Sequence, residues 1–438
     1  MRILWVCSTL PRTAAEAAGR QVDNKEGWLD GALVSISNAD GSGEGPALEL
    51  AIAFPSDEAY DRSAGTGRME VSIGRDMHVS LYGYSDDRRT PEIYDKGLEK
   101  EFADIMADCR PDIVHVFGTE YGHDLAVGRT VSALKKSGSA VKLLIGIQGI
   151  ISECGRVYAD GLPENVKRNR TFRDRIKDDN ILRQQEKFLL RGEFELETIT
   201  YATDITGRTE FDRKWSMEHN PRAVYHHMNE TLRSEFYEGT WDVTECDRHV
   251  IFMSQGDYPL KGVHKILRIM PDIIADYPDA KLIVAGMDIT KHGTLRDRIR
   301  IGNYGKYLNE LIAVNKLKDR VIFTGPLGAA QMKDMYLKSH AYICASSIEN
   351  SPNSMGEAML LGLPVIAARV GGIPSMIEDQ TEGLLYDDVS EIPGLLHKIW
   401  DDDASATLLG AAGMNRAYRT HDAEANLHRL LEIYDELG

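Results

Sequence analysis

Residues 346–379, SSIENSPNSMGEAMLLGLPVIAARVGGIPSMIED, decide the fold of the second half of this 438-residue chain. An apolar run ends at Ser346, a polar loop follows, and a helical stretch then begins with Asn353 or Ser354 as its N-cap. A glycine and a proline end that helix, and a second apolar run (residues 365–368) comes directly after it. The order strand, loop, helix, strand predicts one unit of a parallel α/β sheet.

The same alternation of short apolar runs and amphipathic stretches extends along most of the chain. Predicted strands of the second half lie at residues 249–253, 281–285, 321–324, 341–345 and 365–368, and those of the first half at residues 3–7, 48–54, 77–84, 113–117 and 141–147. Most of these runs are apolar at every position, as strands buried on both faces must be. A chain of this length also exceeds the usual size of one domain. We therefore predict an α/β protein with two Rossmann-like domains.

The domain boundary is expected in the polar stretch near residues 233–247. This gives an N-terminal domain at residues 1–235 and a C-terminal domain at residues 236–420. The last segment, residues 421–438, carries an apolar stripe at helical spacing.

Composition excludes several classes of function. The net charge of −17 argues against nucleic acid as a partner, because phosphate binding requires a basic surface. The five cysteines are scattered and include no Cys-x-x-Cys pair, so neither a disulfide framework nor a zinc site is predicted, and a reducing cytoplasm fits best. No histidines stand at metal-ligand spacing, and no apolar stretch reaches the ~18–20 residues that span a bilayer.

A basic helical stretch at residues 166–197 is the exception to the acidic composition. It includes Lys167, Arg168, Arg170, Arg173, Arg175 and Lys177. One interpretation is a solvated helix face. The other is a basic surface that meets an anionic acceptor or the inner face of a membrane, which would make the protein peripheral there.

The chemistry of the stretch quoted first favours a sugar nucleotide. Ligands of open parallel sheets bind at the carboxyl ends of the strands, and the helix that starts there offers amide groups and a partial positive charge to a phosphate. Glu349 stands before this helix and Glu357 lies within it. Their carboxylates can accept hydrogen bonds from the vicinal hydroxyls of ribose and hexose.

Glu349 and Glu357, with seven residues between them, match the Glu-x7-Glu signature of the retaining GT-B glycosyltransferases. The segment GLPVIAARVGGIPSMI that follows resembles glycosyltransferase family four, also called glycosyl transferases group one. Weaker similarity extends over nearly the whole chain, at DIVHVFGTEYGHDLA (112–126), ITGRTEFDRKW (205–215), YPLKGVHKIL (258–267) and KLIVAG (281–286).

The resemblance implies two facing Rossmann-like domains with a cleft between them, the donor bound by the C-domain and the acceptor largely by the N-domain. The final helix at residues 421–438 would pack back on the N-domain. The implied reaction moves a sugar from a nucleotide sugar, such as a UDP- or GDP-sugar, to a hydroxyl of a carbohydrate or glycolipid with retention of configuration. No cofactor and no catalytic metal would be bound. Cell-surface polysaccharide or glycolipid biosynthesis would be the setting.

The resemblance also implies roles for individual residues. Glu349 and Lys261 would be catalytic, with Lys261 stabilising the leaving diphosphate. Glu357 would hold the ribose hydroxyls. The remaining donor-site residues are Asn353, Ser354, Ser351, Gly256, Gly371 and Gly372. The acceptor side would include Gly27, Gln148 and Gly149.

The sequence departs from the family pattern at two places, where it lacks a common arginine and a common histidine. The family commonly carries an arginine about five residues before the Lys261 position, whereas residues 254–257 are Ser-Gln-Gly-Asp. Arg208 is the candidate substitute in the donor site. A histidine frequent in the family corresponds here to Gln148, which can hydrogen-bond a hydroxyl but cannot titrate.

Two alternatives to a transferase stay open. One is another GT-B enzyme, such as a nucleotide-sugar epimerase or a phosphorylase, although no lysine site for pyridoxal phosphate is evident. The other is a nucleotide-sugar-binding module without catalysis. The nucleotide base, the sugar, the acceptor and the oligomeric state are not fixed by the sequence.

Overall fold

The computed structural model describes residues 1–21, 27–40, 48–74, 77–87 and 89–438. Its strands are β1 (Arg2–Val6), β2 (Glu49–Pro55), β3 (Arg68–Ile73), β4 (Met77–Tyr84), β5 (Ile113–Phe117), β6 (Lys142–Gly146), β7 (Asp204–Gly207), β8 (Val224–His227), β9 (Val250–Met253), β10 (Lys281–Val284), β11 (Val321–Phe323), β12 (Ala341–Cys344), β13 (Val365–Ala368) and β14 (Leu384–Tyr386).

The helices alternate with these strands. They are α1 (Arg12–Ala17), α2 (Gly27–Asp40), α3 (Gly97–Cys109), α4 (Gly122–Lys136), α5 (Ile151–Val157), α6 (Glu164–Arg168), α7 (Phe172–Lys177), α8 (Ile181–Thr198), α9 (Glu210–His219), α10 (Val263–Asp276), α11 (Leu295–Arg300), α12 (Asn303–Val314), α13 (Ala329–Lys338), α14 (Asn353–Leu360), α15 (Ile373–Met376), α16 (Ile392–Trp400), α17 (Asp403–Thr420) and α18 (Ala423–Leu437).

The chain forms two compact units, each built on one sheet. The first unit comprises Met1–Ser152, Leu189–Arg233 and His421–Gly438, and the second comprises Glu153–Phe188 and Ser234–Thr420. The first sheet has the order β3-β4-β2-β1-β5-β6-β7-β8 and the second the order β11-β10-β9-β12-β13-β14. All neighbouring strands are parallel except β3, which runs antiparallel to β4. The predicted α/β class with two parallel-sheet domains is therefore confirmed.

The division into units differs from the predicted boundary at one segment. Residues 153–188, which the sequence placed in the N-terminal domain, group with the second unit. The reason is that helices of this unit donate hydrogen bonds to the segment's backbone: Arg268 Nη2 lies 2.8 Å from the Gly161 carbonyl oxygen, and Asn303 Nδ2 donates to the Val166 carbonyl. The final segment, residues 421–438, groups with the first unit.

The basic stretch predicted as one helix is divided into α6, α7 and α8. Asn169 ends α6 with extended backbone, and Asp178 ends α7 in the left-handed conformation at φ 44°. Short polar residues tolerate such positions because their side chains can hydrogen-bond locally. No helix among the residues the structure describes is both long and apolar enough to cross a membrane.

The helix α18 is held to the first sheet by a buried polar contact. Leu430, Ile433 and Leu437 pack in the core beside β1, and Trp5 Nε1 donates to the Tyr434 hydroxyl at 2.8 Å. The same hydroxyl lies 2.8 Å from His115 Nδ1. His115 is fully buried, and this burial lowers its pKa to about 3, so the imidazole is neutral.

We expect Tyr434→Phe to destabilise the protein, because it leaves the buried Trp5 indole N–H without its acceptor. A lost partner of this kind costs about 1–3 kcal/mol in the free energy of unfolding. Urea unfolding followed by tryptophan fluorescence measures the change. The matched control is Tyr418→Phe, whose hydroxyl makes only an exposed bond to the Tyr237 carbonyl. Equal stability of the two variants would contradict the assigned role of this contact.

Candidate active site

The predicted donor residues follow three neighbouring strands of the second sheet. Lys261 comes after β9, Glu349 after β12, and Gly371 with Gly372 after β13, and these strands are adjacent in the order β9-β12-β13. Because all three run parallel, their carboxyl ends meet at one edge of the sheet. The structure thus brings together residues that are separated by more than 80 positions in the sequence.

Lys261 and Glu349 form an ion pair at this edge. Lys261 Nζ lies 2.5 Å from Glu349 Oε1, and the Ser346 hydroxyl donates to the same oxygen at 2.7 Å. Burial alone would lower the pKa of Lys261, but the carboxylate of Glu349 holds it well above its usual value. The ammonium is therefore charged at neutral pH, as a group that stabilises a phosphate must be.

The backbone at Gly262, the residue after Lys261, requires a glycine. Its backbone is left-handed at φ 74°, and a Cβ added to it would lie 2.0 Å from the Ala345 carbonyl oxygen. The turn Pro259–Lys261 can therefore approach the end of β12 only if residue 262 has no side chain. This close approach places Lys261 beside Glu349.

The two glycines after β13 fix the backbone of Glu349. Gly372 N donates to the Glu349 carbonyl oxygen at 2.9 Å. Gly371 has φ 52°, and a Cβ there would lie 2.0 Å from the same carbonyl oxygen. The tight turn at these two glycines therefore holds the loop that carries Glu349.

The helix α14 begins one residue earlier than predicted. Its N-cap is Pro352, without a side-chain capping bond, so Asn353 and Ser354 are helical residues rather than caps. Proline suits this position because it has no N–H to leave unpaired and the φ it requires (here −68°) leads into a helix. The Ser354 hydroxyl instead pairs with the Tyr342 hydroxyl at 2.9 Å.

Two tyrosines of the second unit hold the first turns of α14. The Tyr342 hydroxyl also lies 3.0 Å from Ser254 Oγ, which links α14 to the end of β9. The Tyr336 hydroxyl donates to the Ser354 carbonyl at 2.9 Å and lies 3.4 Å from Glu357 Oε2. Glu357 is buried on this helix, as is Ser351 in the loop before it.

Gly256 lies in the segment, residues 254–257, where the resembling family commonly carries an arginine, and packing explains why position 256 has no side chain. A Cβ on Gly256 would lie 2.4 Å from Val284 Cγ1 and 2.6 Å from Val263 Cγ2. No side chain fits there without displacement of both valines. Lys265, which the sequence analysis overlooked, is a nearby cation on α10 whose Nζ donates to the Ser347 hydroxyl at 2.9 Å.

The predicted acceptor-side residues lie in the first unit, at the ends of adjacent strands. Gln148 follows β6 and Arg208 follows β7. Arg208 Nη1 lies 2.5 Å from Glu230 Oε2, Gln148 Nε2 donates to Glu230 Oε1 at 2.7 Å, and Arg208 Nη2 lies 3.3 Å from Gln148 Oε1. Arg208, predicted for the donor site, lies with Gln148 in the first unit.

Glu230 is the centre of this cluster and was not identified from the sequence. It is buried after β8, and His421 Nδ1 bonds to its carbonyl oxygen at 2.7 Å. The only signal was a carboxylate soon after a strand. Nearby, Gly149 N donates to Glu120 Oε1 at 3.2 Å.

Gly27 is the first residue of α2 and lies against another side chain of the same unit. A Cβ on it would lie 2.4 Å from Arg233 Cγ. Glu26, the residue before it, lies outside the described residues. Among the residues that are described, no three His, Cys, Asp or Glu side chains gather in a way that could hold a metal ion.

Comparison with known proteins finds a family match within the second unit. Residues 243–408 match the family model of glycosyl transferases group 1. A relative named GDP-mannose-dependent monoacylated alpha-(1-6)-phosphatidylinositol monomannoside mannosyltransferase, from Corynebacterium glutamicum, is 25% identical over 233 residues, which are 50% of this chain and 57% of that protein. The chain spans less than two thirds of the length of the first curated relatives that it matches.

Similar solved structures cover the whole chain. Sucrose-phosphate synthase from Thermosynechococcus elongatus has a TM-score of 0.67 at 15% identity and covers 100% of this chain and 99% of its own. Anabaena HepE, solved in complex with UDP-glucose, has a TM-score of 0.62 at 13% identity and covers 100% of both chains. The chain therefore has the GT-B fold of these proteins, and its residues 243–408 match the glycosyl transferases group 1 family.

Proposed function

We propose that the protein is a glycosyltransferase that moves a sugar from a nucleotide sugar to a hydroxyl acceptor with retention of configuration. The contact between Lys261 and Glu349 is the observation that carries this proposal. It places a cation and a carboxylate side by side at the sheet edge where α14 begins. The family match of residues 243–408 and the UDP-glucose held by HepE support a nucleotide-sugar donor.

In this proposal the donor occupies the edge formed by β9, β12 and β13. The diphosphate lies against Lys261 and the amide groups of Asn353 and Ser354, since a helix N-terminus favours an anion. Glu357 accepts hydrogen bonds from the ribose hydroxyls, and Glu349 accepts them from the hydroxyls of the transferred sugar. A UDP-sugar and a GDP-sugar are the donors to test first, because HepE holds the one and the corynebacterial relative is named for the other.

The reaction follows from these placements as a front-face transfer. The bond between the anomeric carbon and the phosphate oxygen breaks, and the acceptor hydroxyl attacks the same face. Its proton passes to the leaving phosphate oxygen, so retention needs no nucleophile from the protein. Lys261 stabilises the charge that grows on the leaving diphosphate, which is the role a metal ion plays in other transferases.

In this proposal Lys261 is paired with Glu349 in the free protein and with the diphosphate once the donor is bound. An unpaired ammonium in a largely buried site would be costly, and Glu349 supplies the countercharge until the diphosphate arrives. Lys265 is the second cation in the proposal and takes the place of the arginine that packing excludes from position 256. Gln148, Arg208 and Glu230 would bind acceptor hydroxyls, in cell-surface polysaccharide or glycolipid synthesis.

Donor binding is tested by thermal shift with UDP-, GDP- and ADP-sugars. A ligand that binds only the folded state raises the melting temperature by mass action, by an amount that grows with its concentration over Kd. We expect one nucleotide class to stabilise the wild-type chain and to stabilise Glu357→Gln much less. The control is Glu310→Gln, which changes an exposed glutamate on α12. Equal shifts for all three proteins would contradict the role of Glu357.

Lys261→Ala is expected to lower kcat by about 100- to 1,000-fold, as loss of a group that stabilises transition-state charge does. Donor Kd should change less than kcat, because the amide groups of α14 still bind the phosphates. Steady-state kinetics of donor consumption measures both, with Lys306→Ala on the exposed face of α12 as the control. A variant that keeps wild-type kcat and only raises KM would assign Lys261 to ground-state binding alone.

The stereochemical outcome is read from the product. Proton NMR of the first turnovers should give the anomeric configuration of the donor in the new glycosidic bond. An inverted product would refute retention. A covalent sugar on Glu349, detected by mass spectrometry of the quenched enzyme, would replace the front-face transfer with a double displacement.

A further inference from the structure

Two short helices of the second unit expose large apolar side chains. Phe172 and Ile176 on α7 are 59% and 66% exposed, and Leu295 and Ile299 on α11 are 76% and 45% exposed. The helices α7 and α11 contact each other. Each pair is spaced four residues apart, so its two side chains lie on one helix face. We call these four residues the apolar tip.

The polar face of α7 packs against the second unit, which leaves Phe172 and Ile176 in water. Asp174 is buried, and its Oδ2 accepts a hydrogen bond from Asn303 N at 3.0 Å, at the start of α12. The Thr171 hydroxyl caps α7 by accepting from Asp174 N. The polar face of α7 is therefore fixed to the unit, and Phe172 and Ile176 point away from it. This is the reverse of an ordinary surface helix, which buries its apolar face.

Basic side chains surround the apolar tip. Arg175 and Lys177 on α7 and Arg296, Arg298 and Arg300 on α11 are all exposed. Arg175, Lys177 and Arg300 make no ion pair with any residue in the described parts of the chain. The chain as a whole carries a net charge of −17, so this concentration of unpaired positive charge is local.

We propose that the apolar tip and the exposed basic side chains of α7 and α11 bind the surface of a membrane that contains anionic lipids. Apolar side chains that enter the boundary between head groups and acyl chains, flanked by Lys and Arg that meet anionic head groups, are the two components of interfacial binding. A soluble acidic partner would pair with the arginines and leave the four apolar side chains in water.

This binding does not depend on the proposed transferase reaction, and its test requires no nucleotide sugar. The full chain is sedimented with vesicles of phosphatidylcholine alone and with vesicles that also contain phosphatidylglycerol. We expect binding to the mixed vesicles, weaker binding at high salt because exposed charges are screened, and little binding to phosphatidylcholine alone. Equal sedimentation with both kinds of vesicle, or with neither, would overturn the proposal.

A set of variants separates the apolar from the electrostatic contribution. The combined change Phe172→Ser, Ile176→Ser, Leu295→Ser and Ile299→Ser should weaken binding by about tenfold or more, since it removes the inserted apolar area. The control combines Val314→Ser and Leu408→Ser, which are 79% and 72% exposed elsewhere in the same unit. Melting temperatures should match in all proteins because every changed side chain is exposed.

Charge reversal completes the test. Arg175→Glu with Lys177→Glu should also weaken binding to the mixed vesicles. If charge reversal abolishes binding and the serine variant binds like the wild-type chain, binding is electrostatic alone, and the proposal that the apolar tip enters the membrane fails. If the serine variant loses binding and the control does not, the apolar tip is the inserted element.

Discussion

The ion pair between Lys261 and Glu349 is the interaction on which the candidate donor site depends. It joins the turn after β9 to the loop after β12, and the backbone of both segments is arranged to permit it. Gly262 allows the lysine turn to approach Ala345, and Gly371 allows the next turn to approach the carbonyl of Glu349. A side chain at either glycine would move one partner away from the other. Glycine is needed at both positions because backbone segments approach each other closely there. This close approach brings Lys261 and Glu349 together.

Each unit places polar residues at the carboxyl edge of its own sheet, but the two clusters differ in how accessible their charged side chains are. In the second unit the cation Lys261 and the carboxylate Glu349 are both partly accessible, so a ligand can compete for either. In the first unit Arg208 and Glu230 are buried, and both contact each other and Gln148. A buried pair of this kind costs several kcal/mol to break by removal of one partner, in the range of about 3–5 kcal/mol. It orients Gln148 and, through its backbone, holds His421 before α18.

The fold could be predicted from the sequence because most of the predicted strands are apolar at every position and alternate with amphipathic stretches. The spacing of Glu349 and Glu357 predicted that one lies before a helix start and the other after it. In the structure this helix, α14, begins within one residue of the predicted position. Side-chain contacts between distant segments could not be predicted from the sequence. Nothing in the sequence links Tyr336 or Tyr342 to Ser354, or Glu230 to Arg208, because hydrogen bonds across a fold leave no periodic signal. The grouping of residues 153–188 with the second unit was missed for the same reason, since it rests on single side chains that reach backbone carbonyls.

A structure of the chain with the nucleotide sugar that gives the largest thermal shift would test the donor site most directly. We predict the diphosphate within hydrogen-bond distance of Lys261 Nζ and of the first amide groups of α14, with the ribose hydroxyls on Glu357 and the sugar hydroxyls on Glu349. Glu349 would then no longer be the main partner of Lys261. A nucleotide bound by the Arg208, Gln148 and Glu230 cluster, or one that leaves the Lys261–Glu349 pair intact and makes no contact with α14, would contradict it.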